Sequence, residues 1–185
     1  AHVVHVAETA GYILQTMGHD ERTVELAKIA GYLHDIGNLV NRKDHSQSGA
    51  VMAWSILNDM GCDPGEMDTI VTAIGNHDEG TGVPVNAISA ALFLADKSDV
   101  RRSRVRNHDI STFDIHDRVN YSVEVSTLNI DPEKKEITLE LTIDSEISAV
   151  MDYFQIFLGR MQMAKSAAKS LELNFSLVIN KQKLL

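Results

Sequence analysis

The chain has 185 residues, 44% of them hydrophobic and 23% charged, which is ordinary for a folded globular protein and excludes a disordered or fibrous one. A net charge of −9 argues against bulk nucleic-acid binding through a basic surface, although the stretch from Lys97 to Arg106 forms a local cationic patch. The single cysteine, Cys62, rules out an internal disulfide, makes any metal site one of imidazole and carboxylate, and points to a reducing, cytoplasmic setting; no apolar run approaches the roughly 18 residues of a membrane span.

A first helix is predicted from His2, with Val3, Val6, Ala7, Ala10, Ile13, Leu14 and Met17 at helical spacing and Gly18 as its stop. Asp20 caps a second helix whose inward stripe runs Val24, Ala27, Ala30, Gly31 and His34, and Gly37 breaks it. The third follows Lys43-Asp44-His45 with Gly49, Met52, Ala53, Ile56, Leu57 and Met60 on one face, and ends at Gly61. Asp63-Pro64-Gly65-Glu66 reads as a helix start in which Asp63 caps and Glu66 reaches back, leading into Met67, Ile70, Ile74 and His77. After the loop at Gly80–Pro84, Ile88, Ala91, Leu92 and Ala95 mark a fifth helix that delivers Asp96.

Beyond the charged stretch Arg101–Arg118 the period changes to two. Val119, Tyr121, Val123 and Val125 predict one strand, and Ile137, Leu139, Leu141 and Ile143 a second, with Asp131–Lys135 as the turn. A long helix from Ser145 to Leu171 follows, then a strand at Leu173, Phe175, Leu177 and Ile179. The expected fold is mainly α: a helical bundle over residues 1–108, then a small α+β unit of ββαβ order over 109–185. The long helix carries an apolar seam that covers the tail sheet, with a homo-oligomer contact or a ligand pocket as the alternatives.

Five His-Asp dipeptides occur, at His19, His34, His77, His108 and His116, but only the one at His34 ends an apolar helical stripe and stops at a glycine. His2, His34, His45, His77 and Asp96 each continue the stripe of a different helix, so all point inward. His5 lies one position off its stripe, and His19, His108 and His116 fall in a turn or the polar connector, where solvated side chains are the simpler reading. Four inward histidines with Asp35 and Asp96 are hard to bury together unless cations compensate the charge.

The order His, His-Asp, His, His, Asp resembles the HD-domain superfamily of metal-dependent phosphohydrolases. His2-Val3-Val4-His5-Val6-Ala7 looks like its first motif and Leu33-His34-Asp35-Ile36-Gly37 like its signature. His45-Ser46-Gln47-Ser48-Gly49-Ala50 and Ala73-Ile74-Gly75-Asn76-His77 are similar to the further histidine motifs of the dinuclear members, and Leu94-Ala95-Asp96-Lys97 to the closing motif. The likeness covers roughly residues 2 to 106. It implies an HD-type bundle holding two divalent ions, of iron, manganese, zinc or similar. One would sit on His2, His34, Asp35 and Asp96, and the other on His45 and His77 with Asp35 bridging.

The activity so implied is hydrolysis of a phosphoester or phosphoanhydride by a metal-activated water, as a monoesterase or a diesterase. Asp78 and Glu79, in the loop after His77, join Asp35 as candidate catalytic carboxylates that relay protons. Lys97, Arg101 and Arg102 are the candidates for holding substrate phosphate, with a solvated helix end as the plainer alternative. The partner expected is a small phosphorylated compound, a nucleotide or its relative, with no bulk nucleic acid and no membrane. The Gly-Tyr-Pro signature of the cyclic di-GMP subgroup is missing after His77, where Asp78-Glu79-Gly80-Thr81-Gly82-Val83-Pro84 stands instead. Two other classes remain: a di-iron oxygenase built on the same six ligands, and a non-enzymatic regulatory module that binds a ligand.

Overall fold

The computed structural model describes residues 2–80, 82–100, 102, 105, 109 and 112–185. Five helices form the first part: α1 (His2–Thr16), α2 (Glu21–Leu33), α3 (His45–Asp59), α4 (Pro64–Gly75) and α5 (Ala87–Ser98), with a 3₁₀ turn at Ile36–Leu39 after α2. Their starts follow the expected chemistry. The Asp20 carboxylate accepts from the Thr23 backbone N–H, and Asp63 accepts from those of Gly65 and Glu66. Gly18 and Gly61 close α1 and α3. Glu66 does not reach back to its own helix start; its carboxylate takes two hydrogen bonds from Arg22 of α2 and ties the two helices together.

α5 is the axis of the molecule. It is buried on every side from Ile88 to Ser98, and its alanines Ala90, Ala91 and Ala95 let α1, α2, α4 and α7 approach closely. α3 is less apolar inward than its spacing predicts: Gly49, Ala50, Ala53 and Leu57 are buried, whereas Ile56 and Met60 face solvent.

Two glycines set the geometry around His34-Asp35. A Cβ on Gly31 would lie 2.6 Å from the Ala7 Cα, so only glycine permits this crossing of α1 and α2. A Cβ on Gly37 would fall 1.9 Å from the His45 carbonyl oxygen, so glycine is what lets the start of α3 rest on the 3₁₀ turn. His45 is thereby brought up to Asp35.

The tail has the expected ββαβ order with two additions. α6 (Ile115–Ser122) occupies the place where the first strand was expected to begin, and β1 (Val123–Asp131) starts only at Val123. Asp114 caps α6 by accepting from Asp117, and Val119 and Ser122, three apart, supply its buried face. Over four residues, alternation and helical spacing cannot be told apart, and the cap decided for helix. β2 (Glu136–Ile143) pairs antiparallel with β1 and parallel with β3 (Asn174–Ile179), through the crossover helix α7 (Val150–Ser170). A short β4 (Gln182–Lys183) returns from a two-residue turn at Asn180 and Lys181, both at positive φ.

α7 starts five residues later than its apolar pattern implies, because Asp144 organises a turn and Asp152 accepts from the Ala149 N–H at the true helix start. Tyr153, Phe157, Met161 and Ala164 are then buried where α7 packs on α5 and β3, with Leu139 and Phe175 beside Met161 and Ala164. One apolar core therefore runs from the bundle into the tail. His108, the last residue of the expected first unit, lies outside the described residues.

Candidate metal centre

α1, the end of α2, the start of α3, the end of α4 and the last turns of α5 meet at one cleft. His34, His45 and His77 are buried, and so is Asp96; His2 and Asp35 are partly exposed at the rim. The imidazoles pack edge to face in a row, His2 on His34, His34 on His77 and His77 on His45, with centroids 5.2, 5.0 and 4.9 Å apart.

Each ring is oriented through its Nδ1. In His34 this atom lies 2.7 Å from the Gly31 carbonyl, in His77 2.6 Å from that of Ile74, and in His45 3.0 Å from that of Arg42. A carbonyl only accepts, so in these three rings Nδ1 carries a proton and Nε2 is the nitrogen left to face the cleft. His2 is held instead by the buried Asp99, whose Oδ2 lies 2.7 Å from its Nδ1.

The four Nε2 atoms converge. Those of His45 and His77 stand 3.1 Å apart, His2 Nε2 lies 3.2 Å from Asp96 Oδ1, and His34 Nε2 lies 3.6 Å from the same oxygen. Asp35 is central: Oδ2 is 3.8 Å from His2 Nε2 and 3.7 Å from His34 Nε2, while Oδ1 is 3.5 Å from His45 Nε2. Among the described residues His34 Nε2 is buried with no hydrogen-bond partner. A cation among these atoms removes that penalty. Donor atoms of His2, His34 and Asp96, and of His34, Asp35 and His77, lie within 4.8 Å of one another, so two overlapping groups could each hold an ion.

The electrostatics agree. Burial pushes His77 down to about 4, so its imidazole is neutral and available as a ligand at pH 7. Burial alone would raise Asp96, but the Lys97 ammonium, 2.6 Å from its Oδ2, and the imidazoles of His2 and His34 hold it well below the usual carboxylate range. For Asp35 burial likewise raises and the imidazole of His34 lowers, and the net result is a depressed, ionised carboxylate.

The residues expected to contact substrate are placed less uniformly. Lys97 lines the cleft with Asp35, Arg42, His45, Asp96 and Arg160. Arg102 donates to the Tyr121 carbonyl and stacks on that ring, and Arg101 lies outside the described residues. Glu79 accepts from Arg160 and lies 3.6 Å from Lys97 Nζ. Asp78 is half-buried beside His77, and its carbonyl closes the following turn on Gly82. Sequence reasoning passed over Asp99, Arg42 and Arg160. Only Asp99 had a local signal, a further carboxylate one helical turn beyond Asp96.

A helical bundle that gathers four imidazole nitrogens and two ionised carboxylates around one cleft is a metal-binding domain. The family model described as HD domain matches residues 1–155, and the chain belongs to the HD domain family, within the superfamily of metal-dependent phosphohydrolases. It is 29% identical over 142 residues to ribonuclease Y 1 of Pediococcus pentosaceus, covering 75% of this chain and 24% of that protein. It is 30% identical over 115 residues to ribonuclease Y of Enterococcus faecalis, covering 60% and 20%, and 29% identical over 116 residues to that of Fervidobacterium nodosum, covering 61% and 20%. The chain thus spans a quarter or less of the length of these curated relatives.

These matches overturn the expectation of a small phosphorylated partner and no bulk nucleic acid, since all three relatives are named ribonucleases. Net charge misled because it sums over the whole surface, whereas the cleft itself is lined by Arg42, Lys97 and Arg160. Among the described residues no helix is long and apolar enough to cross a membrane.

Proposed function

We propose that the chain is a metal-dependent phosphodiesterase that cleaves RNA at the His34-Asp35 cluster. The observation that carries the reading is the convergence of four Nε2 atoms on Asp35 and Asp96, with each ring turned that way by a partner on Nδ1. His2, His34, Asp35 and Asp96 would hold one ion, and His45 and His77 with Asp35 the second. Two such ions, when bound, would make a water more acidic and neutralise charge on phosphate oxygens.

The chain's own residues do the rest. Asp99 fixes His2 with Nε2 facing the cleft, and Lys97 keeps Asp96 ionised while presenting its ammonium to the same space. Arg42, at the mouth and 3.8 Å from Asp35 Oδ1, offers a guanidinium to a phosphate oxygen. In hydrolysis a bond forms from water oxygen to phosphorus, the bond to the leaving ribose oxygen breaks, and the proton lost by water ends on that oxygen. Asp78 and Glu79, in the loop after His77, are the carboxylates proposed for this relay.

The test is incubation of a 5′-labelled single-stranded RNA with protein reconstituted in Mn²⁺ or Fe²⁺ under anaerobic conditions. Shorter products that disappear with chelator and in Asp35→Ala are expected. Intact RNA in the presence of protein carrying two ions per chain sinks the reading.

A further inference from the structure

Arg160 lies on α7, beyond the residues 1–155 matched by the HD domain model, yet it lines the same cleft as Asp35, His45 and Asp96. α7 delivers it there by packing along α5, the helix that carries Asp96. Its guanidinium stacks on Phe157, 4.1 Å from the ring centroid, and its side chain is only 18% exposed. Both Nε and Nη2 donate to a single oxygen of Glu79, Oε1, at 2.8 and 2.7 Å. The same arginine also lines a second pocket of about 180 Å³, together with Val105, Asp117 and Asn120. Arg160 is therefore the wall shared by the metal cleft and its neighbour.

We propose that Arg160 binds the RNA phosphate adjoining the scissile one, and that Glu79 occupies this arginine until RNA displaces it. The proposal rests on the RNA reading above. A planar guanidinium matches phosphate as well as carboxylate, so the two compete for one fork of donors. Glu79 is a weak competitor: its side chain is a third exposed, and pairs that water reaches contribute little. The pocket beyond Arg160 is too small for a whole drug-sized ligand. A sugar or base edge suits that pocket, which leaves the phosphate between the two spaces to Arg160.

The alternative is a tether that merely pins the loop after His77 to α7, and the two readings predict different signs. If the pair is a tether, Arg160→Ala and Glu79→Gln perturb RNA binding in the same direction. If Glu79 competes with phosphate, they act in opposite directions. Fluorescence anisotropy of a labelled single-stranded RNA 10-mer, with metal-loaded protein at 50 and 200 mM salt, reads this. Arg160→Ala should weaken binding on the order of tenfold and flatten the slope of log affinity against log salt by about 0.7, the loss of one phosphate contact. Arg160→Lys should recover part of both, and Glu79→Gln should tighten binding severalfold.

Unchanged affinity and slope in Arg160→Ala, or weakening in both variants, overturns the proposal. Two ions per chain and an unchanged melting temperature show that each variant is folded. A wild-type protein that binds RNA with this pattern but leaves it intact defeats the hydrolase reading and keeps the Arg160 contact. One that binds no RNA defeats both.

Discussion

The cleft and the tail are buried by opposite means. In the tail, Ile137, Leu139, Leu141, Tyr153 and Phe157 leave water because they are largely apolar, as part of the one core that continues into the bundle. In the cleft, His34, His77 and Asp96 are as deeply buried although each is polar, and their donor atoms face a shared space. Burial of the first kind is its own stabilisation; burial of the second kind costs free energy until a ligand arrives. Substitutions should therefore separate cleanly, with those in the cleft costing metal and activity and those in the tail costing stability.

The largest effect is expected for Asp35→Ala, which removes the carboxylate shared by both candidate ion positions. RNA cleavage should fall by more than roughly a thousandfold and both ions should be lost, since charge stabilisation by the metals is then gone. Metal analysis of the purified variant checks this, and retention of two ions would break the assignment of Asp35 as the bridge. At the other pole, Leu141→Ala removes a fully buried side chain of β2, an inner strand of the sheet. It should cost about 4 kcal/mol in denaturant unfolding while leaving two ions per folded chain. Loss of metal in this variant would mean that the two regions are not independent.

The contrast also governs how much was legible in the sequence. Helix starts at Asp20 and Asp63 were readable because a capping carboxylate acts on N–H groups two or three residues away. His34, His45 and His77 were readable because each continues its own helix's stripe, a local property. The missed features are long-range. Arg160 enters the cleft only through the packing of α7 on α5, and no spacing near residue 160 encodes that. Glu66, expected to fold back locally, is taken by Arg22, 44 residues earlier. At α6 a local rule failed because Val119 to Ser122 satisfies both periods, and the Asp114 cap tipped the balance.

A third prediction sets the two regions apart by pH. In metal-free protein the folded His77 sits near 4 against an ordinary value of 6.5. The unfolded chain therefore takes up the proton first as pH falls, so stability is full above about 6.5 and declines toward 4. A shift of this size corresponds to about 3 kcal/mol. Asp35 and Asp96, depressed from 3.8, add to the loss only below that value, as pH falls through their folded values. Denaturant titrations in chelator at pH 7, 5.5 and 4.5 should show this decline equally in Leu141→Ala. A flat profile would remove the argument that His77 is buried neutral.

The smallest expected effect sharpens the boundary of the cleft. Asp99 touches His2 through Nδ1 and so acts on the site by orienting a ring rather than by facing an ion. Asp99→Asn keeps the size and can still pair with Nδ1, but it removes the negative charge that makes His2 a more basic donor. Outer partners of this kind are worth 10- to 100-fold in metal affinity, and with the amide retained the lower end, about tenfold, is expected. Competition against a chelator of known affinity measures the shift. Asp99→Ala, which also frees the ring to turn, should exceed it. Equal affinity in wild type and both variants would show that backbone packing of α1 alone holds His2 in place, making the cluster as self-supporting as the tail.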